Sequence, residues 1–278
     1  MGMTVKKGKA PSGEKDLREM ASTLRRWIVE QSFRSGVGHI GSALSVADIM
    51  AVLWGSVMRE PGTSSPGRDR FVLAKGHAAL ALFASLRWKG LLTEKDFGQY
   101  CRDGSPIGAH PEHAVRGVDV STGSLGQGLS VACGMAFGLR LKKNPARIFV
   151  LMSDAECNEG QVWEAAQFSA HHGLSSLTAV VDLNGLQALG PTRDILDLSP
   201  LAGKWRAFGW DVVEVDGHNI PALLKALGAG PGKRPRMVVA RTVMGKGVSF
   251  MEGKVEWHYR NLDAKLAVQA LKELGGGK

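Results

Sequence analysis

Arg147-Ile148-Phe149-Val150-Leu151-Met152-Ser153-Asp154-Ala155-Glu156 is the stretch whose reading decides the fold. Its apolar run, short and bounded by charge, has the character of a strand buried on both faces of a parallel sheet. Asp154 falls just past the C-terminal end of that run. From Gly160 to about His171, Val162, Ala165, Ala166 and Ala170 recur at helical spacing, and Gly173 supplies a stop signal. A second strand, Leu177-Thr178-Ala179-Val180-Val181, leads into Asp182-Leu183-Asn184-Gly185-Leu186. A strand, helix, strand unit crosses over right-handed in nearly every case, so Asp154 and Asn184, thirty positions apart, emerge at one edge of the sheet. Open α/β sheets bind their ligands at that edge.

The residue types at that edge suit a divalent cation and a diphosphate. A hard cation such as Mg²⁺ takes about six oxygens, usually from one or two protein groups, substrate phosphates and water. The Asp154 carboxylate, the Asn184 side-chain oxygen and the Leu186 carbonyl would supply three. A plainer reading competes: Asp154 caps the following helix, and Asn184-Gly185 is a turn. These two segments alone leave both readings open.

Working outward, Arg70-Phe71-Val72-Leu73, Asp211-Val212-Val213-Glu214-Val215 and Met237-Val238-Val239-Ala240 read as further strands. Helical segments are expected near residues 15–34, 45–58, 77–89, 126–141, 220–227 and 262–274. No linker, repeat or low-complexity tract divides the 278 residues, so one domain over residues 15–278 is expected. The fold class is α/β, with a mostly parallel sheet flanked by helices on both faces. Residues 1–14, with Lys6, Lys7, Lys9 and Pro11, carry too few apolar groups to pack and read as a mobile tail.

That tail lacks the apolar core of a secretion signal, and no later run reaches membrane-spanning length, so a cytoplasmic protein without a membrane partner is expected. Cys101, Cys133 and Cys157 show no metal-ligand spacing and agree with a reducing compartment. The net charge of +9 lies partly in the tail. Aromatic residues are sparse and no single helix carries a basic stripe, which speaks against nucleic acid. A positive field would favour phosphorylated or other anionic small substrates.

Four histidines lie in glycine-rich or proline-bounded settings: Gly38-His39-Ile40-Gly41, Lys75-Gly76-His77, Gly108-Ala109-His110-Pro111-Glu112 and Trp257-His258. Glycine allows close backbone approach to a ligand, and loop histidines can bind phosphate or handle protons near neutral pH. Each taken singly reads first as a hydrogen-bonded structural histidine or a helix cap. His113, His171 and His172 have no such setting. Ser121-Thr122-Gly123-Ser124-Leu125-Gly126-Gln127-Gly128 is a further loop whose glycines invite a ligand ahead of a helix.

Together, these motifs resemble the transketolase family. The histidine segments, Thr122-Gly123-Ser124-Leu125-Gly126-Gln127-Gly128, Asp154 with Glu159-Gly160, Asp182-Leu183-Asn184-Gly185, Asp216-Gly217-His218-Asn219 and Arg241-Thr242-Val243-Met244-Gly245-Lys246-Gly247 occur in that family's order, from about residue 15 to about residue 262. The resemblance implies the diphosphate-binding half of a thiamine diphosphate-binding fold. It implies that Asp154, Asn184 and the Leu186 carbonyl hold Mg²⁺, or another divalent cation such as Ca²⁺ or Mn²⁺. The Ala155 amide, His77 and His258 would contact the diphosphate, and Gly123 and Leu125 would line the aminopyrimidine pocket. His39, His77, His110 and His258 would surround the reacting carbon as catalytic residues. Glu159 and Glu164, ordinarily solvated acids near a helix start, would match acids at the subunit interface.

The resemblance further implies that the pyrimidine-binding half, with its activating glutamate, is supplied by a separate C-terminal subunit, in a heterotetramer of two of each. The expected activity is transfer of a two-carbon ketol unit from a ketose, by default a sugar phosphate, to an aldose acceptor. Another thiamine diphosphate reaction of the 2-oxo acid decarboxylase or dehydrogenase type, or a non-catalytic scaffold, are the alternatives. The chain departs from the family pattern at Ser153 and Ala155, which flank Asp154 where glycines are usual, and at Ile40, Ser124 and Tyr259. A methyl group at Ala155 costs little unless that position needs positive φ.

Overall fold

The computed structural model describes residues 13–275. The expected tail therefore lies, through residue 12, outside the described residues, and the first helix, α1 (Glu14–Ser35), begins at its boundary.

Five parallel strands form the main sheet: β1 (Arg70–Leu73), β2 (Ile148–Ser153), β3 (Leu177–Leu183), β6 (Asp211–Asp216) and β7 (Arg236–Arg241), in the spatial order β1-β2-β3-β7-β6. A small antiparallel hairpin, β4 (Leu186–Gln187) with β5 (Gly190–Pro191), follows β3. All five main strands coincide with expected ones to within one or two residues. Every residue of β2 is buried, whereas the edge strand β6 has only exposed and half-buried positions. The uninterrupted apolar run of β2 thus reflects a strand covered on both faces.

Side-chain alternation sends the strands into two separate cores. Phe71, Leu73, Phe149, Leu151, Val180 and Val238 join one core, while Val72, Ile148, Val150, Ala179, Val181 and Val239 join the other. The first core is covered by α1, α2 (Ile40–Ser45), α3 (Ala47–Val52), α4 (Ala79–Trp88), α10 (Ile220–Gly228) and α11 (Ala264–Glu273). A short α5 (Glu94–Phe97), closed by a Thr93–Asp96 capping box, completes that layer. Against the second core lie α6 (Gln127–Leu141), α7 (Gly160–His171) and α9 (Leu201–Ala207), with α8 (Thr192–Ile195) leading into them.

Two of the expected helical and loop segments differ in the structure. The segment expected as one helix over residues 45–58 ends as α-helix at Val52 and continues as a π-helical turn over Leu53–Val57. The glycine-rich loop around His39 is instead the start of α2, with His39 itself left-handed at φ 67°. Among the described residues no helix is long and apolar enough to cross a membrane.

The α6 helix shows how closely this layer sits on the sheet. A Cβ on Gly128 would lie 2.4 Å from the Ala74 Cβ, whereas one on Gly134 would meet nothing within 4 Å. Replacing an exposed helical glycine with alanine ordinarily adds about 0.5–1 kcal/mol. Gly134→Ala is expected to stabilise by that amount, and Gly128→Ala to destabilise by about 1–3 kcal/mol through overpacking. Urea unfolding of the two variants checks the contrast in sign.

Candidate active site

The strand ends meet around one buried ion pair. Lys75, just past β1, and Asp182, near the end of β3, are both 0% exposed and bonded to each other. The Asp182 carboxylate also accepts from Ser45 Oγ of α2 at 2.7 and 2.9 Å, from Asn184 Nδ2 at 2.9 Å, and from the Thr242 hydroxyl beyond β7. Burial alone would raise the Asp182 pKa, but the Lys75 ammonium and these donors outweigh it and hold the carboxyl below its ordinary range. One carboxylate therefore ties together β1, α2, β3 and β7.

In the sheet register Ser153 pairs with Asp182, which places Asp154 beside the end of β3. Asp154 is 0% exposed. Its Oδ1 accepts from the Ala155 N–H at 2.8 Å and its Oδ2 from the Gly185 N–H at 2.7 Å. Asn184 Oδ1 accepts from the Leu186 N–H at 2.9 Å. These are bonds that a cap and a turn make. Burial explains what a surface cap would not show: together with the nearby Asp182 charge, it pushes the Asp154 carboxyl up to about 7.

A carboxylate has about four lone-pair sites and an amide oxygen two, so Asp154 and Asn184 keep acceptor capacity for a cation. Among the described residues no group of three or more His, Cys, Asp or Glu side chains is arranged to hold a metal. A cation here would need mixed donors, namely one carboxylate, one amide oxygen, the Leu186 carbonyl and oxygens of a bound anion. That is the donor set Mg²⁺ accepts. Positive φ among the described non-glycine residues is confined to His39, Glu60, Cys101 and Lys143. Ala155 therefore occupies ordinary backbone, and its methyl group imposes no conformational penalty.

Three of the four expected histidines form one wall. Ring centroids are 5.5 Å apart for His39 and His77, 5.2 Å for His39 and His258, and 5.2 Å for His77 and His258. The His39 N–H donates to the His258 carbonyl at 2.8 Å. Gly38 permits this approach, because a Cβ there would lie 2.6 Å from the Tyr259 carbonyl oxygen. His110 packs on Gly123, whose Cβ would stand 3.4 Å from the His110 ring. Tyr259 is 62% exposed, with its ring 4.8 Å from that of His258 and 5.3 Å from that of His39.

Burial, then the Lys75 charge and the neighbouring rings, hold His77 well below its ordinary pKa. Burial, His39 and Lys75 bring His258 down to about 4. His39 is lowered by burial and by His110. These rings are thus neutral near pH 7, each with one donor and one acceptor nitrogen. Nδ1 of both His39 and His258 is buried without a hydrogen-bond partner. Buried polar atoms are nearly always paired, so two orphans in one wall mark a place for a polar ligand.

The loop carrying Gly123 and Leu125 is tied to the segment after β2. Glu156, 0% exposed and pushed by burial up to about 7, accepts from the Gly126 N–H at 2.7 Å. Gln161 donates to the Leu125 carbonyl at 3.1 Å. Gly76 also approaches this loop, since a Cβ on it would lie 3.0 Å from the Gly123 nitrogen. Glu159 and Glu164 are exposed in the single chain. His113, His171 and His172 stand apart from the wall, the last with its ring tilted against that of Phe168 at 4.3 Å.

Sequence reading did not single out Lys75, Asp182, Ser45, Thr242 or Glu156 as parts of the site. Lys75 and Asp182 stood inside quoted motifs, but nothing local shows that they pair across 107 positions. A second buried cluster explains the Asp216-Gly217-His218-Asn219 segment. His218 Nδ1 meets Asp48 at 2.8 Å, Arg25 pairs with the same carboxylate, and His218 Nε2 accepts from the Val243 N–H at 2.9 Å. That cluster anchors the connection from which Thr242 reaches Asp182.

Residues 17–277 match the family model for the thiamine diphosphate binding domain of transketolase. The chain is 38% identical over 266 residues to the 6-deoxy-6-sulfo-D-fructose transketolase subunit SqwG of a Clostridium species, covering 93% of this chain and 96% of that one. Over 254 residues it is 35% identical to one of the apulose-4-phosphate transketolase subunits of Phocaeicola vulgatus, covering 90% of each. It is 37% identical to human transketolase over 93% of its own length but only 42% of that protein. The crystal structure of transketolase from Campylobacter jejuni superposes with a TM-score of 0.87 at 26% identity, covering 95% of this chain and 43% of that one. The chain thus spans less than half of the longer transketolases and nearly all of the two shorter relatives.

Removing the Lys75 charge would leave Asp182 buried and uncompensated. Lys75→Met is expected to cost about 3–5 kcal/mol in urea unfolding, and adding Asp182→Asn to recover part of the loss. The His258 shift carries a separate signature. Below about pH 6.5 the unfolded chain takes up a proton that folded His258 refuses until about pH 4, so this histidine costs stability as pH falls. Asp154 and Glu156 act in the opposite sense, so the readout is a difference. Relative to wild type, His258→Gln should gain about 1–2 kcal/mol between pH 7 and pH 5 in paired unfolding curves.

Proposed function

The chain belongs to the transketolase family, and from that premise we propose that it is the diphosphate-binding subunit of a split, thiamine diphosphate-dependent transketolase. It transfers a two-carbon ketol unit from a ketose donor, by default a sugar phosphate, to an aldose acceptor. A separate pyrimidine-binding subunit completes the site. The observation that carries the reading is the wall of neutral histidines, with unpartnered Nδ1 atoms on His39 and His258, beside the Asp154 and Asn184 strand ends.

Thiamine diphosphate, when bound, supplies the electron sink that stabilises a carbanion. Asp154, Asn184 and the Leu186 carbonyl would hold Mg²⁺, or Ca²⁺ or Mn²⁺ in its place. The Ala155 N–H, His77 and His258 would contact the diphosphate, and Gly123 and Leu125 would line the aminopyrimidine pocket. His39, His77, His110 and His258 would face the reacting carbon. A neutral imidazole can donate to one sugar hydroxyl and accept from another, and it can hold a proton in transit. Several such groups suit a polyhydroxylated substrate. Burial and Lys75, which keep His77 and His258 neutral, therefore serve the chemistry directly.

The split arrangement is supported by the two relatives that are named as transketolase subunits and match this chain nearly end to end. Glu159 and Glu164, exposed on the single chain at and within the start of α7, would meet the partner subunit in a heterotetramer of two of each. In this reading the partner supplies the activating glutamate and most of the grip on the sugar phosphate.

Ketol transfer is expected to be absent from the purified chain and to appear when the pyrimidine-binding subunit is added; robust activity from the chain alone would refute the split site. Thiamine diphosphate with Mg²⁺ should raise the melting temperature of the assembled pair, and Asp154→Ala should abolish that rise. An unchanged melting curve for the wild-type pair would favour a scaffold.

A further inference from the structure

The edge of the sheet opposite the active site gathers positive charge without carboxylate partners, although Arg140 donates to the His172 carbonyl and lies over the Phe137 ring. Arg140, Lys142 and Lys143 stand at the end of α6, and Lys233 and Arg234 lie in the connection entering β7; all five are exposed. Neighbouring Arg68, Arg147 and Arg236 are paired with Asp119, Asp69 and Asp211. None of the five exposed cations has a carboxylate partner among the described residues. Cations at a helix C-terminus are favoured by the helix dipole, which accounts for those at the end of α6. Lys233 and Arg234, outside any helix, have no such explanation.

Four of these cations, Arg140, Lys143, Lys233 and Arg234, line a track of two hollows and the closed seam between them. A hollow of 230 Å³ lined by Arg140, Lys143, Asn144 and Gly173–Ser176 adjoins, through Ser175 and Ser176, a seam too tight to admit a water molecule, across whose surface Arg147 and Arg234 lie. Through Arg234 the seam meets a second hollow of 470 Å³ lined by Arg206, Trp210, Asp211 and Lys233. The lining is rich in donors. Its one carboxylate, Asp211, is already paired with Arg236. Such a lining suits a ligand made of acceptors and ill suits a peptide, whose N–H groups would need acceptors. Trp210 is 2% exposed and its indole N–H is spent on the Ala166 carbonyl, so the aromatic residue lining the second hollow presents no face to a nucleobase.

We propose that this track binds a linear polyphosphate, a chain of phosphoryl groups with no base or side chain to accommodate. No single segment carries the charge; the parallel sheet assembles it from the end of α6 and the start of β7. The track lies at the N-terminal edge of the strands and the catalytic histidines at the other, so the two sites can be perturbed independently.

The test uses the purified full chain and end-labelled inorganic polyphosphate, with binding followed by fluorescence anisotropy across a salt series. One variant carries Lys142→Gln, Lys143→Gln, Lys233→Gln and Arg234→Gln. A control variant carries Lys95→Gln, Lys225→Gln, Lys265→Gln and Lys272→Gln, the same change in net charge at exposed positions elsewhere. The track variant should bind at least about tenfold more weakly, with the slope of log affinity against log salt reduced by about three, while the control matches wild type. Equal weakening in both variants would reduce the effect to net charge and overturn the proposal. So would no wild-type binding at about 150 mM salt, or tighter binding to single-stranded or duplex DNA at equal phosphate concentration.

Discussion

The buried pairing of Lys75 with Asp182 is the constraint on which the site depends. Two fully buried charges are tolerated only when paired and hydrogen-bonded, because desolvation costs several kcal/mol per ion. Ser45, Asn184 and Thr242 meet that condition from three further segments. The bond set therefore fixes the order of the strand ends as well as their separation. A hydrophobic pair could fill the same volume, but it would not specify which residues of α2 and β7 must arrive.

The chemistry of the wall follows from the same pair. Lys75 is followed two residues later by His77, and its charge reaches His77 and His258, helping to hold both rings neutral. It also opposes the rise in the Asp154 pKa that burial and Asp182 cause. One ammonium thus favours the charged form of a carboxylate on one side and the neutral form of imidazoles on the other. Under the proposed function, those are the states suited to a group that would meet a cation and to groups that would exchange hydrogen bonds with hydroxyls.

How much of this was legible in sequence depended on whether the signal was local. The strands were readable because β2 and β3 are covered on both faces, so their burial appears as continuous apolar runs. Asp154 and Asn184 were readable because a parallel crossover places consecutive strand ends side by side. The histidines were readable only through the ordered motifs that resemble a family, since nothing in His39 or His258 alone indicates that their rings meet. The Lys75–Asp182 pair, the Glu156 tie to Gly126 and the Asp48–His218 cluster join residues far apart in the chain, and no local pattern reports such partners. The start of α2 at Ile40 was hidden for a different reason: glycines on both sides of His39 read as a loop, whereas Gly38 and Gly41 are small because the segment around Trp257 to Tyr259 packs against them. The positive charge was expected to steer anionic substrates, yet five exposed cations without carboxylate partners lie on the edge opposite the histidine wall. The substitution at Ala155 proved neutral for the backbone, because only a position with positive φ would have required glycine.

The central claim is that the strand ends and the histidine wall form one half of a thiamine diphosphate site. A structure of this chain assembled with its pyrimidine-binding partner, thiamine diphosphate and Mg²⁺ tests it most directly. The account predicts the cation at Asp154, Asn184 and the Leu186 carbonyl, and Nδ1 of His39 and His258 facing cofactor or substrate. A diphosphate seated away from Asp154, with those two nitrogens still unpartnered, would contradict it.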